Sequence, residues 1–268
     1  MNQSIGFIGG GNMAEAIIGG IKKTDRELQI RVNERIDERL QYLADKYGII
    51  ASGVQELAEK SAVVIIAVKP KDVLEALEKL ENYLLKDKLI ISIAAGIPLK
   101  LFYKNLPGVA VIRAMPNTST AVLHSMTGLV RGENVTQEQA EAAQQIFAAI
   151  GRILWIPEEK MNALIALSGS GPAYYYLFTE SLIQAGVQLG LSEEEAELLA
   201  CETLIGAGKM VTESQKTPGE LREQVTSPNG TTFAALSVFK DDDLPQIVMK
   251  AAQACARRAE DMEGEYSV

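Results

Sequence analysis

One glycine-rich turn near the start of the chain constrains its fold most strongly. Gly9-Gly10-Gly11 lies between an apolar strand pattern at residues 4–8 and a helix pattern at residues 12–21. In the motif G-x-G-x-x-[GA], the first glycine permits a tight turn and the second lets a pyrophosphate approach the backbone. The third position, here Ala14, lets the helix pack closely on the strand. The turn therefore predicts a dinucleotide site, with free amides at the helix N-terminus facing the phosphates.

Short strand patterns alternate with helix patterns through the first half of the chain. The run AVVIIAV at residues 62–68 is apolar throughout, as a central parallel strand buried on both faces requires. The alternation predicts an α/β fold with a Rossmann-type, mostly parallel sheet. Further strands are predicted at residues 29–33, 89–93 and 109–113, and helices at residues 37–47, from Pro70 onward and at residues 99–104.

Near Pro157 the pattern changes and becomes almost wholly helical. We therefore expect a dinucleotide-binding Rossmann domain at residues 1–156 and an all-helical substrate-binding and dimerisation domain at residues 157–268. Residues 162–189 form an unusually apolar helical stretch with few charges, which has to be buried. Interleaved helices of a dimer account for this stretch most simply, and burial within a monomer is the alternative.

Charge and composition exclude several classes of partner. The net charge is −9, so a nucleic-acid backbone would be repelled. The longest apolar run is far too short to span a membrane. Cys201 and Cys255 provide neither a disulfide framework nor a metal-ligand spacing. Because Met1 leads directly into a strand pattern without a basic leader, we expect a cytoplasmic protein, and we expect no metal.

The segment after the second strand should read the ribose of the adenosine. Glu34 is suited to accept both ribose hydroxyls, which favours NAD, whereas Arg35 is suited to pair with a 2′-phosphate, which favours NADP. Both residues are present, so the sequence leaves the cofactor as NADPH or NADH.

Three more turns fall at the carboxyl ends of predicted strands, where open α/β sheets bind ligands. They are Val68-Lys69-Pro70, Ala94-Ala95-Gly96 and Met115-Pro116-Asn117-Thr118. Each turn alone is compatible with a plain connection, but four on one edge of the sheet predict a cofactor site. The predicted cofactor-binding residues are Ile8, Gly9, Gly11, Asn12, Met13, Glu34, Arg35, Ala67, Val68, Lys69, Pro70, Ala94, Ala95, Gly96 and Asn117.

A polar loop at residues 225–232, VTSPNGTT, interrupts the helical half of the chain. Backbone N–H groups of such a turn form an anion pocket suited to a carboxylate. Thr231 or Thr232 could equally be the N-cap of a helix starting at Phe233, which is compatible with anion binding. Residues 161–208 contain no Lys, Arg or His, so no general base of those types is available on the first helices of this half.

Taken together, these motifs resemble the pyrroline-5-carboxylate reductase family. The matching stretches run in family order from residue 5 to about residue 237. They are FIGGGNMAEAIIGGI, AVKP, SIAAGI, RAMPNT, ALSGSGPAY and VTSPNGTTFAAL.

The resemblance implies that NADPH or NADH reduces the C=N bond of Δ1-pyrroline-5-carboxylate to give L-proline. It implies that Asn229, Gly230, Thr231 and Thr232 hold the substrate carboxylate, that Thr232 also orients the ring nitrogen as the catalytic residue, and that Glu158 lies near the substrate. It further implies dimers through the helical domain, often assembled into decamers.

Two positions depart from the family pattern. Asn229 replaces a glycine of the substrate loop, although Asn tolerates a left-handed backbone. Glu34 replaces a small polar residue at the ribose position, so the usual preference for NADP does not transfer directly.

Two other functions fit parts of the sequence. A β-hydroxyacid dehydrogenase would share the first domain and a helical second one, but it needs a lysine on the first interdomain helix, which the span 161–208 lacks. A cofactor-binding regulator without catalytic activity would have lost the residues of the substrate loop. Asn229 is the one position of this loop that departs from the family pattern.

Overall fold

The computed structural model describes residues 4–83 and 86–266. Contacts divide the chain into two compact units. The first comprises Met1–Ser170 with Ala254–Val268, and the second comprises Gly171–Gln253. The boundary predicted at residue 156 therefore falls inside the first unit, because the segment after Pro157 packs with the Rossmann-type core.

A single eight-stranded sheet organises the first unit, in the order β3-β2-β1-β4-β5-β6-β7-β8. All neighbouring strands run parallel except β6 and β7, which are antiparallel. This is the predicted Rossmann-type, mostly parallel sheet. The strands are β1 Ile5–Ile8, β2 Ile30–Asn33, β3 Ile50–Ala51, β4 Val63–Ile66, β5 Leu89–Ser92, β6 Ala110–Met115, β7 Ser125–Arg131 and β8 Gly151–Trp155.

Helices cover both faces of this sheet. They are α1 Asn12–Thr24, α2 Asp37–Tyr47, α3 Val54–Lys60, α4 Val73–Glu81, α5 Leu99–Asn105, α6 Gln137–Ala148 and α7 Met161–Leu164, with a π-helical turn at Ile165–Gly169. Along β4, Val63 and Ile65 join a core with α1, α2 and α6, while Val64 and Ile66 join a core with α3, α4 and α5. Burial on both faces explains why this strand is apolar at every position.

The second unit is helical. It contains α8 Gly171–Gln188, α9 Glu193–Glu213, α10 Pro218–Gln224, α11 Thr231–Asp241 and the first part of α12 Leu244–Glu265. Large apolar side chains are exposed along α8, α9, α11 and α12 of the isolated chain. No helix in the described ranges is long and apolar enough to cross a membrane.

Several elements of the first unit were not predicted from the sequence. They are β3, α3, β7, α6 and β8. Thr136 and Gln139 form a reciprocal capping box at the start of α6, which is a visible signal for this helix. β3 has only two residues, both exposed, so no hydrophobic pattern marks it.

Candidate active site

Gly9 has to be glycine for two structural reasons. Its φ is +97°, and a Cβ at this position would lie 2.7 Å from the carbonyl oxygen of Ala67. The amide of Gly9 donates to the carbonyl of Asn33 at 2.8 Å, which ties the turn to the end of β2. A tight turn between neighbouring parallel strands therefore requires this residue even without a ligand.

Gly11 is different, because nothing lies within 4 Å of a Cβ built on it. It is the N-cap of α1 in an extended conformation and provides no side-chain cap. The first amides of α1 are therefore left for another acceptor, at the positive end of the helix dipole. Open space beside unpaired amides is what a bound phosphate needs.

A cavity of about 750 Å³ lies beside this turn, at the carboxyl ends of β1, β2, β4 and β5. Most of the predicted cofactor-binding residues line it, and so do Ile36, Asp72, Ala76 and Lys79. The predicted lining residues are Ile8, Gly9, Gly11, Asn12, Met13, Glu34, Arg35, Ala67, Val68, Lys69, Pro70, Ala94 and Ala95.

The Glu34 carboxylate is held by three backbone amides. Oε2 accepts from Gly10 at 2.6 Å, and Oε1 accepts from Arg35 at 2.8 Å and from Ile36 at 3.1 Å. The side chain therefore bridges the glycine turn and the segment that follows β2. These hydrogen bonds hold it at the cavity wall.

Arg35 extends in a different direction, towards the start of α4. Its Nη2 donates to Glu75 Oε2 at 2.5 Å, and its Nη1 lies 3.9 Å from Asp72 Oδ1. Glu75 also accepts from Lys79 at 2.8 Å. The Lys79 and Arg35 cations together hold the pKa of Glu75 below its usual range.

Two of the predicted cofactor residues are engaged elsewhere. A Cβ on Gly96, whose φ is +72°, would lie 2.8 Å from the Cβ of Met262, so α12 covers this glycine. The Asn117 side chain accepts from Ser119 N and donates to the carbonyl of Ser168 at 3.1 Å. Its amide thus joins the turn after β6 to the π-helical segment.

In the second unit, the structure places the predicted substrate loop at the start of α11. Asn229 has φ +59°, the left-handed conformation expected for it. Gly230 is the N-cap and has no side-chain cap bond, so neither Thr231 nor Thr232 is the cap and the helix starts before Phe233. The first amides of this 11-residue helix are consequently available to an anion. The Thr232 side chain, in the first turn of the helix, is half-buried.

Glu158 lies in an ionic cluster that the sequence did not reveal. Its Oε1 accepts from the amide of Leu99 at 2.8 Å, at the first residue of α5, and from Arg113 Nη1 at 3.3 Å. Arg113 Nη1 also contacts Glu263 Oε1 at 2.7 Å, and the Arg113 side chain is only 2% exposed. A charged residue in the middle of the apolar strand β6 was the available signal.

Comparison with known proteins identifies both halves of the chain. A family model described as pyrroline-5-carboxylate reductase dimerisation matches residues 158–262, and one described as NADP oxidoreductase, coenzyme F420-dependent, matches residues 4–96. A pyrroline-5-carboxylate reductase of Haemophilus influenzae is 40% identical, over 98% of this chain and 98% of the relative.

The chain belongs to the pyrroline-5-carboxylate reductase family.

Solved structures agree with this assignment. A Coxiella burnetii pyrroline-5-carboxylate reductase superposes with a TM-score of 0.92 at 36% identity, over 98% of this chain and 99% of the other. A Plasmodium falciparum pyrroline carboxylate reductase with NADP bound gives 0.88 at 30% identity, over 98% of each chain. The predicted family, oxidoreductase class and fold are confirmed, and the helical half contains a dimerisation domain.

Proposed function

We propose that this chain reduces Δ1-pyrroline-5-carboxylate to L-proline with NADPH or NADH. Family membership over the whole length supports this activity. The observation that carries the proposal is the cavity at the glycine turn, and the uncapped helix start at Gly230 supports it. Neither a β-hydroxyacid dehydrogenase nor a silent regulator is favoured by the relatives.

The residues of the first unit fit a nicotinamide dinucleotide. The open space over Gly11 and the uncapped amides of α1 suit a pyrophosphate. Glu34 lines the cavity just after β2, which supports our assigning it to the ribose. The bound cofactor supplies the hydride. Among the residues predicted for this site, Gly96 and Asn117 contribute by shaping the turns after β5 and β6, since their own contacts are internal.

The substrate carboxylate would be held by the loop of Asn229, Gly230, Thr231 and Thr232. The amides at the start of α11 offer a site for an anion, and the left-handed Asn229 preserves the turn. We assign Thr232 the catalytic role of orienting the ring nitrogen through its hydroxyl. Glu158 serves the site indirectly, by fixing the start of α5 and pairing with Arg113.

A proton donor is not needed in the hydride step. A cyclic imine is basic enough to be protonated when it binds, and hydride addition to C5 moves the C=N π electrons onto nitrogen as a lone pair. Catalysis then depends on positioning and electrostatics, which agrees with the absence of Lys, Arg and His from residues 161–208.

Assembly and location complete the proposal. The exposed apolar side chains of the second unit and the match to a dimerisation family support a homodimer. Because members of the family often form decamers, we extend this proposal to a decamer of five dimers. We also propose that the enzyme is cytoplasmic and that it binds neither a metal nor a nucleic acid.

The test is oxidation of NADH and of NADPH, followed separately at 340 nm, with pyrroline-5-carboxylate as acceptor. We expect turnover with at least one cofactor and L-proline as product. A panel of β-hydroxyacids with NAD or NADP should give no activity. Turnover of a hydroxyacid without reduction of the imine would refute the proposal.

A further inference from the structure

The adenosine end of the cavity carries a charge pattern that bears on the choice of cofactor. Glu34 and Asp72 line it together with the cations Arg35 and Lys79. Glu75, which does not line the cavity, forms salt bridges with both cations. NADP differs from NAD only by a phosphate on the ribose 2′-oxygen. The discrimination between NADP and NAD therefore depends on which of these charged groups lies next to the ribose 2′-oxygen.

Glu34 is poorly able to move away from a phosphate. Three amide donors hold its two oxygens, and moving the side chain would break all three hydrogen bonds. A carboxylate has about four acceptor sites, so one remains for a ribose hydroxyl. A hydroxyl can donate to that site, whereas a phosphate cannot and is repelled by the charge.

Arg35 is the cation best placed in the sequence to compensate a 2′-phosphate, but it is already paired. Glu75 and Asp72 draw its guanidinium towards α4, and Glu75 also pairs with Lys79. The same glutamate thus pairs with both Arg35 and Lys79. Lys69, from the turn after β4, is a third cation in the lining and is not paired with Glu75.

From this arrangement we propose that the enzyme prefers NADH to NADPH, with Glu34 as the excluding group and Glu75 as a second specificity-determining residue that keeps Arg35 from a 2′-phosphate. The proposal rests on the proposed function only for the identity of the cofactor class.

Binding of the reduced cofactors tests the preference without catalysis. Titrations followed by nicotinamide fluorescence should give a Kd for NADH at least about tenfold below that for NADPH. Competition with adenosine 5′-phosphate and adenosine 2′,5′-bisphosphate should show the same order, because these fragments probe the adenosine end alone. Equal affinity, or tighter binding of the 2′-phosphorylated ligands, would overturn the proposal.

Matched variants separate the two residues. Glu34→Ser should shift the ratio of affinities by at least about tenfold towards NADPH. Glu75→Gln should strengthen NADPH binding severalfold and leave NADH unchanged, whereas Glu78→Gln, an exposed glutamate on the same helix, should change neither. Equal gains in Glu75→Gln and Glu78→Gln would reflect net charge alone and would remove Glu75 from the selection.

Failure of this proposal is distinguishable from failure of the proposed function. An enzyme that binds NADPH more tightly and still reduces pyrroline-5-carboxylate contradicts only the cofactor preference. An enzyme that binds NADH more tightly but reduces no imine with either cofactor contradicts the reductase activity and leaves the preference standing.

Discussion

At the scale of single residues, the two outer glycines of the nucleotide turn serve different needs. Gly9 is required by a φ of +97° and by the carbonyl of Ala67, while Gly11 has free space where a Cβ would lie. Both glycines belong to one sequence motif, which does not show whether each is needed for folding or for binding the ligand. The structure indicates that Gly9 is needed for folding and Gly11 for binding, and variants at the two positions can test this.

Gly9→Ala should destabilise the fold by about 2 kcal/mol or more, because alanine is strained at this φ and clashes with backbone. Gly11→Ala should cost less than about 1 kcal/mol, yet it should weaken cofactor binding at least tenfold by filling the space at the pyrophosphate. Thermal unfolding and fluorescence titration measure the two effects. A Gly11→Ala protein that binds cofactor normally would show that the pyrophosphate lies elsewhere.

We predict that catalysis depends on the hydroxyl of Thr232. Thr232→Ala should lower kcat/KM by about 10²-fold with cofactor affinity near normal, since one positioned donor typically contributes about 2–3 kcal/mol. Thr232→Ser should recover most of the rate. Ser237→Ala on the same helix should have little effect, because the Ser237 hydroxyl only bonds back to Phe233. An unchanged rate in Thr232→Ala would remove this residue from the mechanism.

At the scale of elements, the sequence predicts best where a periodic pattern is strong. The bounds of α2 match the prediction, and the predicted central strand contains β4, because both faces of β4 are buried and the pattern is unbroken. β8 was missed because Gly151–Trp155 has no fully buried residue. The segment Ile165–Gly169 is a π-helical turn, which no simple periodicity encodes.

In the candidate site, too, some features could be predicted from the sequence and others could not. Turns at the carboxyl ends of strands follow from the α/β pattern, so the lining of the cavity was predictable. The bonds between side chains were not, because they join residues far apart in sequence: Asn117 with Ser168, and Arg113 with Glu158 and Glu263. No local sequence pattern predicts which of such distant residues will be in contact.

The contact between α1 and α2 depends on an ionised carboxylate. Burial alone would raise the pKa of Glu15, but hydrogen bonds from Lys46, Arg39, Tyr42 and Tyr47 outweigh it and lower the pKa to about 2. The folded state therefore gains stability above the ordinary pKa of 4.5, and the gain is lost as the pH falls towards 2. Glu15→Gln should lower the free energy of unfolding by about 1–2 kcal/mol at pH 7. This difference from wild type should shrink as the pH falls towards 2, because the wild-type carboxylate becomes protonated.

Urea unfolding of wild type and Glu15→Gln across pH 2 to 7 measures this difference. The two stability curves should converge as the pH falls below 4.5. Glu27→Gln, which changes an exposed glutamate just after α1, should run parallel to wild type throughout. Curves of Glu15→Gln and wild type that stay parallel would show that the carboxylate charge does not tie the helices together.

The buried guanidinium of Arg113 links three elements: β6, the segment that begins at Glu158 and the end of α12. Arg113→Met should destabilise by about 3–5 kcal/mol, because two partly buried carboxylates lose their cation. Arg152→Met, at an exposed position of β8, should change stability by less than about 0.5 kcal/mol. The comparison needs only thermal or urea unfolding. A tolerated Arg113→Met would mean that the carboxylates find other partners.

At the scale of the whole molecule, the second unit is hard to explain as a monomer. Its helices expose large apolar side chains, for example Leu198 at 63% and Ile205 at 50% on α9. These two residues are seven positions apart, so they lie on one face of the helix. An apolar face of this kind, in a segment that matches a dimerisation family, indicates that a second copy covers it.

Leu198→Glu combined with Ile205→Glu should therefore convert the dimer into monomers, because two charges would have to be buried at the interface. Sedimentation equilibrium at micromolar concentration should show the change in mass, and the second unit should become easier to proteolyse. Val122→Glu is the matched control, since Val122 is 68% exposed but belongs to the first unit. A double variant that remains dimeric, with Val122→Glu unchanged, would place the interface on another face of the helical unit.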